Sequence, residues 1–315
     1  MNKKIVVIGG GTGQSVLLKG LKKFPLDITA IVTVADNGQS TGRLREEFKT
    51  PAVGDIRRVL ISLSETEPLV EKLFNYSFKT SSDLNGHKVG NLILTAAKEI
   101  TGNLSDGIEA LSKVFNLKGK VVPLTEDNVT LMAQMEDNSI VEGEEDITLS
   151  NKKIKKVFYK EVPVITPDAI RSIKEADAII LSMGSLFTSI IPNLINKEII
   201  DAIDFSKGKI IYIANMMTQP GETDGFSVSD HIKLLNNYLG KRKVEIVIAN
   251  NKKISESILR KYQTKEQKDQ VVLDYDNLKD VNLIEDNFFI IEDGKVRHDS
   301  LKLAFNIFAE SFKQN

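Results

Sequence analysis

Ile5-Val-Val-Ile-Gly-Gly-Gly-Thr-Gly-Gln-Ser15 decides how this chain folds. The apolar run 5–8 breaks into four glycines and a threonine, and a helical pattern follows over 15–23. That is a strand, a tight glycine turn and a helix start. Such a corner leaves backbone N–H groups without intrahelical partners at the positive end of a helix, where a phosphate is readily bound. Gly10, Gly11, Thr12 and Gly13 are therefore candidate ligand-binding residues, with the Thr12 hydroxyl as an added donor. A dinucleotide fingerprint needs G-x-G-x-x-G, its third glycine allowing close helix–strand packing. Gly9 and Gly11 fill the first two positions, but Gln14 stands at the third and the glycine falls one place early, at Gly13. No lysine follows Gly13, which excludes a Walker A loop.

Working outward, strand-like and helical patterns alternate, which favours a parallel sheet with right-handed crossovers. Asp27-Ile-Thr-Ala-Ile-Val-Thr-Val-Ala35 is a β-branched run suited to a buried parallel strand, ending in the polar turn 36–42. Helical stripes follow at 43–48, 54–64, 69–78, 90–100 and 104–115. Short strand-like pieces with Glu- and Lys-rich connections then mark 125–165 as an antiparallel insertion. Buried-strand patterns resume at 177–182, 209–214 and 243–249, with a helix at 228–239 capped by Ser227 or Ser229 and a last helix at 300–312. The expected fold is a doubly wound, mostly parallel Rossmann-like α/β sheet with helices on both faces. Residues 1–315 are read as one domain, 125–165 as an insertion within it.

Composition narrows the chemistry. With 42 Lys+Arg against 43 Asp+Glu there is no basic surplus, so nucleic acid is not an expected partner. The absence of cysteine excludes disulfides, zinc–thiolate sites, iron–sulfur clusters and thiol nucleophiles. Three scattered histidines, His87, His231 and His298, offer no histidine-rich metal site. No apolar run approaches membrane-spanning length and the opening residues do not read as a signal peptide, so a cytoplasmic protein is expected.

Four strand ends carry small or polar residues: 9–13, 36–42, 182–188 and 215–225. Ligands of open parallel sheets sit beyond the carboxyl ends of the strands, so four such turns on one rim suggest a binding crevice. Met183-Gly-Ser-Leu-Phe-Thr-Ser189 repeats the opening pattern and makes Gly184 and Ser185 a second candidate phosphate seat. In the loop 215–225, Asn215, Thr218, Gln219 and Asp224 present donors and acceptors suited to a sugar or base edge, or else form a solvated turn stiffened by Pro220. Asp36 is a candidate ribose ligand, base or divalent-metal ligand. Asp55 is either a second carboxylate of that kind or the N-cap of its own helix. Arg57 and Arg58 can clamp a phosphate or face solvent, and His87, Lys88 and Asn91 are weaker candidates. Arg297 and His298, ahead of the last helix, can reach the crevice from the C-terminal side.

In this order the motifs Ile8-Gly-Gly-Gly-Thr-Gly-Gln14, Val34-Ala-Asp-Asn-Gly-Gln-Ser-Thr-Gly-Arg-Leu-Arg45, Gly54-Asp-Ile-Arg-Arg58, His87-Lys-Val-Gly-Asn91, Gly184-Ser-Leu-Phe-Thr-Ser-Ile-Ile-Pro192 and Ala214-Asn-Met-Met-Thr-Gln-Pro-Gly-Glu-Thr-Asp-Gly225 form a recognisable set. Together they resemble the YvcK-type, gluconeogenesis-factor branch of the CofD-like family over nearly the whole chain. The CofD branch is a 2-phospho-L-lactate transferase with a guanylyl-linked donor. The other branch binds UDP-sugars, notably UDP-N-acetylglucosamine, and supports cell shape on gluconeogenic carbon. The resemblance implies that Thr12 lies at the nucleotide-sugar phosphates and that Tyr262 and Arg297 contact the ligand, the tyrosine by stacking on uracil and the arginine by pairing a phosphate. Asp36-Asn37 stands where the family often has two acidic residues, and Gln39 where it often has glycine. The loss of the second carboxylate at Asn37 tilts the reading away from metal-dependent transfer.

The expected function is a nucleotide-sugar-binding regulator of cell shape and cell-wall precursor supply during gluconeogenic growth, with no required cofactor. The alternative is a CofD-like phosphotransferase using a nucleotide-diphosphate-linked donor, with a divalent metal at Asp36. A nicotinamide oxidoreductase rests on the glycine turn alone and is disfavoured by Gln14. Homo-oligomerisation and catalysis stay open.

Overall fold

The apolar run ahead of the glycines is β1 (Lys3–Gly9), and it lies at the centre of the main sheet, hydrogen-bonded on both sides. This computed structural model describes residues 2–150 and 152–313, and the side chain of Gln39 is also outside the described set. Helix α1 (Gly11–Leu21) leads to β2 (Leu26–Val32), and α2 (Gln39–Phe48), α3 (Gly54–Leu63), α4 (Pro68–Asn75), α5 (Val89–Thr101) and α6 (Leu104–Val114) lead to β3 (Lys120–Pro123). A side excursion follows through β4 (Leu131–Met135), β5 (Ile140–Glu142), α7 (Glu144–Leu149) and β6 (Ile154–Tyr159). Helix α8 (Pro167–Glu175) returns the chain to β7 (Ala178–Leu181), and α9 (Lys197–Phe205), β8 (Lys209–Ile213), α10 (Val228–Asn236), β9 (Ile246–Asn250), α11 (Glu256–Glu266) and β10 (Asn282–Asp286) complete the sheet. A hairpin of β11 (Phe289–Glu292) and β12 (Lys295–His298) precedes α12 (Ser300–Phe312).

The sheet order is β10-β9-β8-β7-β1-β2-β3, all parallel. Val7 pairs with Ala30 on one side and Ile180 on the other, and all three are fully buried, which is why these strands read as continuous apolar runs. The chain runs from β1 towards β3, then crosses back to β7 and continues to β10. Right-handed crossovers therefore put the helices of the two halves on opposite faces. Accordingly α1 packs on α3 and α12, while α8 packs on α9. The order reverses between β1 and β7, the position at which open α/β sheets bind ligands.

The doubly wound sheet agrees with the sequence, as does the antiparallel sheet β5-β4-β6 inside 125–165. That small sheet joins the main core through Leu131, Ala133 and Val157. Two local readings are corrected, and the open choice of cap for α10 is decided. The second strand stops at Val32, not at 35, and α2 starts at Gln39, so Ser40 and Thr41 are helical rather than part of a turn. Over 183–191 the chain forms a wide π turn, Leu186–Ile190, followed by a 3-10 turn, Ile191–Asn193, because Pro192 lacks the N–H an α-helix would use there. Ser227 rather than Ser229 caps α10, in a reciprocal capping box with Asp230. Among the described residues no helix is long and apolar enough to cross a membrane.

Candidate functional site at the reversal of the sheet

Gly13 lies in the first turn of α1, against the exit of β7. A Cβ there would stand 1.6 Å from the Met183 carbonyl oxygen, so only glycine fits. This contact is the physical reason the glycine comes one place earlier than in the dinucleotide pattern. Gln14, at the position of the third glycine, is fully buried. Its Nε2 donates to the carbonyls of Val7 and Ile31, each at 2.9 Å, and stitches β1 to β2.

Helix α3 delivers Asp55 beneath the same turn. A Cβ on Gly10 would lie 2.7 Å from Asp55 Oδ2, and the Gly11 N–H is directed at the carboxylate. Burial pushes the Asp55 carboxyl up to about 6, opposed by Arg58, whose Nη1 pairs with it at 2.6 Å. Asp55 does not cap its own helix, whose N-cap position is Val53. It serves the start of α1 instead. Gly10 and Gly11 therefore face a protein carboxylate, and the open side of the turn is presented by Thr12 and Gly13.

The second glycine turn is committed internally in the same way. Asn215 Oδ1 accepts the Gly184 N–H at 3.1 Å and its Nδ2 donates to the Gly184 carbonyl at 2.7 Å. Ser185 accepts from the Thr188 N–H at 2.9 Å and donates to Glu222. Glu222 also accepts from the Phe187 N–H at 3.3 Å and from Gln219 Nε2 at 2.7 Å. A buried carboxylate thus takes the place expected for a phosphate, and burial raises it to about 7. Glu222 sits inside the quoted 214–225 motif, yet nothing in its spacing marked it as buried.

Thr12, Gly13, Gly184, Ser185, Asn215, Thr218 and Arg297 line one open cleft of about 230 Å³, with Gln219, Lys268 and His298. Val16, Met216 and Met217 give it an apolar side. Arg297 rides on β12, which is positioned by Tyr262: the phenol oxygen accepts the Val296 N–H at 2.9 Å. Tyr262 thus stands behind the cleft and outside its lining. Thr218 Oγ1 accepts the Asp269 N–H at 2.9 Å, and this contact brings Lys268 to the rim. Lys268 carries no sequence signature, since the pairing of the distant segments 216–218 and 269–271 places it. Burial holds His298 down to about 4, with its Nε2 3.3 Å from the Ala214 carbonyl.

A sheet reversal lined by the glycine turns at 12–13 and 183–185 and by the loop 215–219 prompts comparison with known proteins, and a model of the family described as 2-phospho-L-lactate transferase CofD matches residues 5–289. The chain belongs to the CofD family. Within it, the chain is 45% identical over 304 residues to the gluconeogenesis factor of Bacillus subtilis (strain 168), covering 96% of each chain. It is 44% identical over 306 residues to that of Halalkalibacterium halodurans, covering 96% of this chain and 94% of the relative. A crystal structure of a UPF0052-family protein from Bacillus halodurans superposes with a TM-score of 0.93 at 43% identity, covering 97% of this chain and 99% of the other. The chain is thus a gluconeogenesis-factor relative with a CofD-type domain.

In this CofD-family chain the remaining candidates lie apart from the cleft. Asp36 folds back on its own loop, accepting the Gly38 N–H at 2.9 Å and the Thr41 hydroxyl at 3.3 Å. Asn37 Oδ1 accepts the Glu145 N–H at 2.9 Å, tying the start of α2 to α7. Half-buried Glu144, absent from the sequence reading, is raised to about 7 by burial and then by the charges of Asp36 and Asp55. Carboxyls held near neutrality are equipped for proton transfer. Among the described residues no group of three or more His, Cys, Asp or Glu side chains is arranged to hold a metal ion.

Proposed function

We propose that the cleft at the sheet reversal binds a nucleotide sugar, UDP-N-acetylglucosamine being the preferred ligand. The carrying observation is the convergence of Thr12 and Gly13, at the N-terminus of α1, with the cations Arg297 and Lys268 in one cleft. A diphosphate seated between them would meet amide donors, a hydroxyl and two positive charges. The apolar side at Val16, Met216 and Met217 suits the face of a base, while Gln219 and Thr218 suit polar edges. Tyr262 would then act by holding β12, and so Arg297, in place.

We infer a cytoplasmic regulator that couples cell-wall precursor supply and cell shape to gluconeogenic growth, of which the relatives' name, gluconeogenesis factor, supports the link to gluconeogenesis alone. Calorimetry with UDP-N-acetylglucosamine, GDP, NAD and inorganic phosphate tests the reading. Binding of the UDP-sugar in preference to the others is expected. Tight NAD binding without UDP-sugar binding overturns it. A second reading, phosphotransfer from a nucleotide-diphosphate-linked donor, is favoured by one observation: Asp55 and Glu144 are held near neutrality. Release of free nucleotide from the bound donor would favour that reading.

A further inference from the structure

A second cleft, of about 290 Å³, shares no lining residue with the first and has Arg57, Arg58 and Lys88 in its lining. Arg57 is 2% exposed, yet its Nε bonds only the Asn91 side-chain oxygen at 2.9 Å and its Nη1 only that of Asn75. Among the described residues neither Arg57 nor Lys88 takes part in an ion pair, whereas Arg58 pairs with Asp55. A buried guanidinium whose direct partners are neutral amides is expensive, because its lost hydration is offset only in part by the charges of Asp55 and Asp36, neither of which pairs with it. The cost is built in: a Cβ on Gly90 would lie 2.7 Å from Arg57 Cδ and 2.6 Å from Phe74, so glycine at 90 lets the stem lock in place. Burial and the charge of Arg58 depress Arg57, and burial, then the charges of Arg57 and Arg58, depress Lys88. Three mutually repelling cations around one concavity form an anion site.

The rest of the lining identifies the anion further. Asp36 and Glu145 belong to it, so a bare polyanion would be repelled there, while hydroxyls would be accepted. We propose that this cleft binds a small phosphomonoester bearing hydroxyl groups, with its phosphate on Arg57, Arg58 and Lys88 and its hydroxyls towards Asp36 and Glu145. The site is separate from the nucleotide cleft and stands whether or not a nucleotide sugar occupies that cleft.

Calorimetric or 31P NMR titration of the full chain with glycerol 3-phosphate and with inorganic phosphate tests it. The expected result is saturable binding of both, tighter for glycerol 3-phosphate, and not displaced by UDP-N-acetylglucosamine. Arg57→Ala abolishes binding, and Lys88→Ala, at a half-buried position that keeps the fold, weakens it about tenfold, as for one charged hydrogen bond. Arg297→Ala leaves it unchanged. Absence of binding to the folded wild type overturns the site. Loss of binding in Arg297→Ala but not in Lys88→Ala overturns its location, since the anion then lies in the nucleotide cleft. Glycerol 3-phosphate binding no tighter than inorganic phosphate overturns the ester.

Discussion

The Met183 carbonyl oxygen lies where a Cβ of Gly13 would be, 1.6 Å away, so the two halves of the sheet meet at a contact with no room for a side chain. Both partners are main chain, so neither can swing aside. Gly13→Ala is expected to cost about 3 kcal/mol or more, at the upper end of overpacking. Gly184→Ala, whose nearest neighbour would be at 3.5 Å, is expected to cost under about 1 kcal/mol. Urea unfolding of the two variants checks the contrast, and equal midpoints would refute it.

Gln14 spans two strands from the position where a dinucleotide site has glycine. Gln14→Leu leaves the Val7 and Ile31 carbonyls without their side-chain donor. A loss of about 1–3 kcal/mol is expected, the worth of two buried hydrogen bonds. Gln14→Gly restores the dinucleotide pattern but is expected to destabilise as well, with no gain of NAD affinity. A calorimetric signal with NAD in that variant would refute this.

Arg297 is exposed, so Arg297→Ala should leave the melting temperature unchanged. Its affinity for UDP-N-acetylglucosamine should fall by about 1.5–3 kcal/mol, the range for a charged hydrogen bond. Tyr262→Phe, which removes the acceptor of the Val296 N–H, should weaken the same ligand by a smaller factor through the placement of β12. An unchanged dissociation constant in Arg297→Ala would remove this residue from the site.

Glu222 binds its proton more tightly folded, at about 7, than at its ordinary value of 4.5. Between those values the native state holds the extra proton, so this group's contribution to stability falls as pH rises through the window. Relative to wild type, Glu222→Gln should therefore gain about 3 kcal/mol between about pH 4.5 and pH 8, whatever its offset at low pH. Asp55→Asn should behave alike, with its window between 3.8 and about 6. His298 has the opposite sign. Its folded value, near 4, lies below the ordinary 6.5, so it contributes stability that is lost as pH falls through that range. Denaturant midpoints across this pH range check all three, and parallel profiles for wild type and Glu222→Gln would refute the first.

The sequence by itself determined the class of fold and where on it to look. Continuous apolar runs such as 5–8 and 210–214 require burial on both faces, and a glycine turn following such a run requires a strand-to-helix corner. Those are local, periodic signals, and the parallel sheet and its insertion follow from them. The helices α8, α9 and α11 and the strands β10 to β12 gave weaker patterns. Much of α11 and β10 is exposed, so packing selects their sequences less strongly.

Only the tertiary structure decided which candidates share a cavity. Thr12 and Arg297 are far apart in sequence, and the hairpin of β11 and β12 brings them to one cleft, whereas Gly10 and Gly11, in the same turn as Thr12, face Asp55. Burial also reversed expectations about charge. Asp55 read as a site carboxylate or the cap of its own helix and Glu222 was not singled out, whereas both are carboxyls sealed against helix starts, Glu222 where a phosphate was expected. Pattern along the chain records how each residue meets its own element. The close approach of Gly13 to Met183, the unpaired charge of Arg57 and the placement of Lys268 depend on groups brought from elsewhere in the fold, and only the packed chain carries that information.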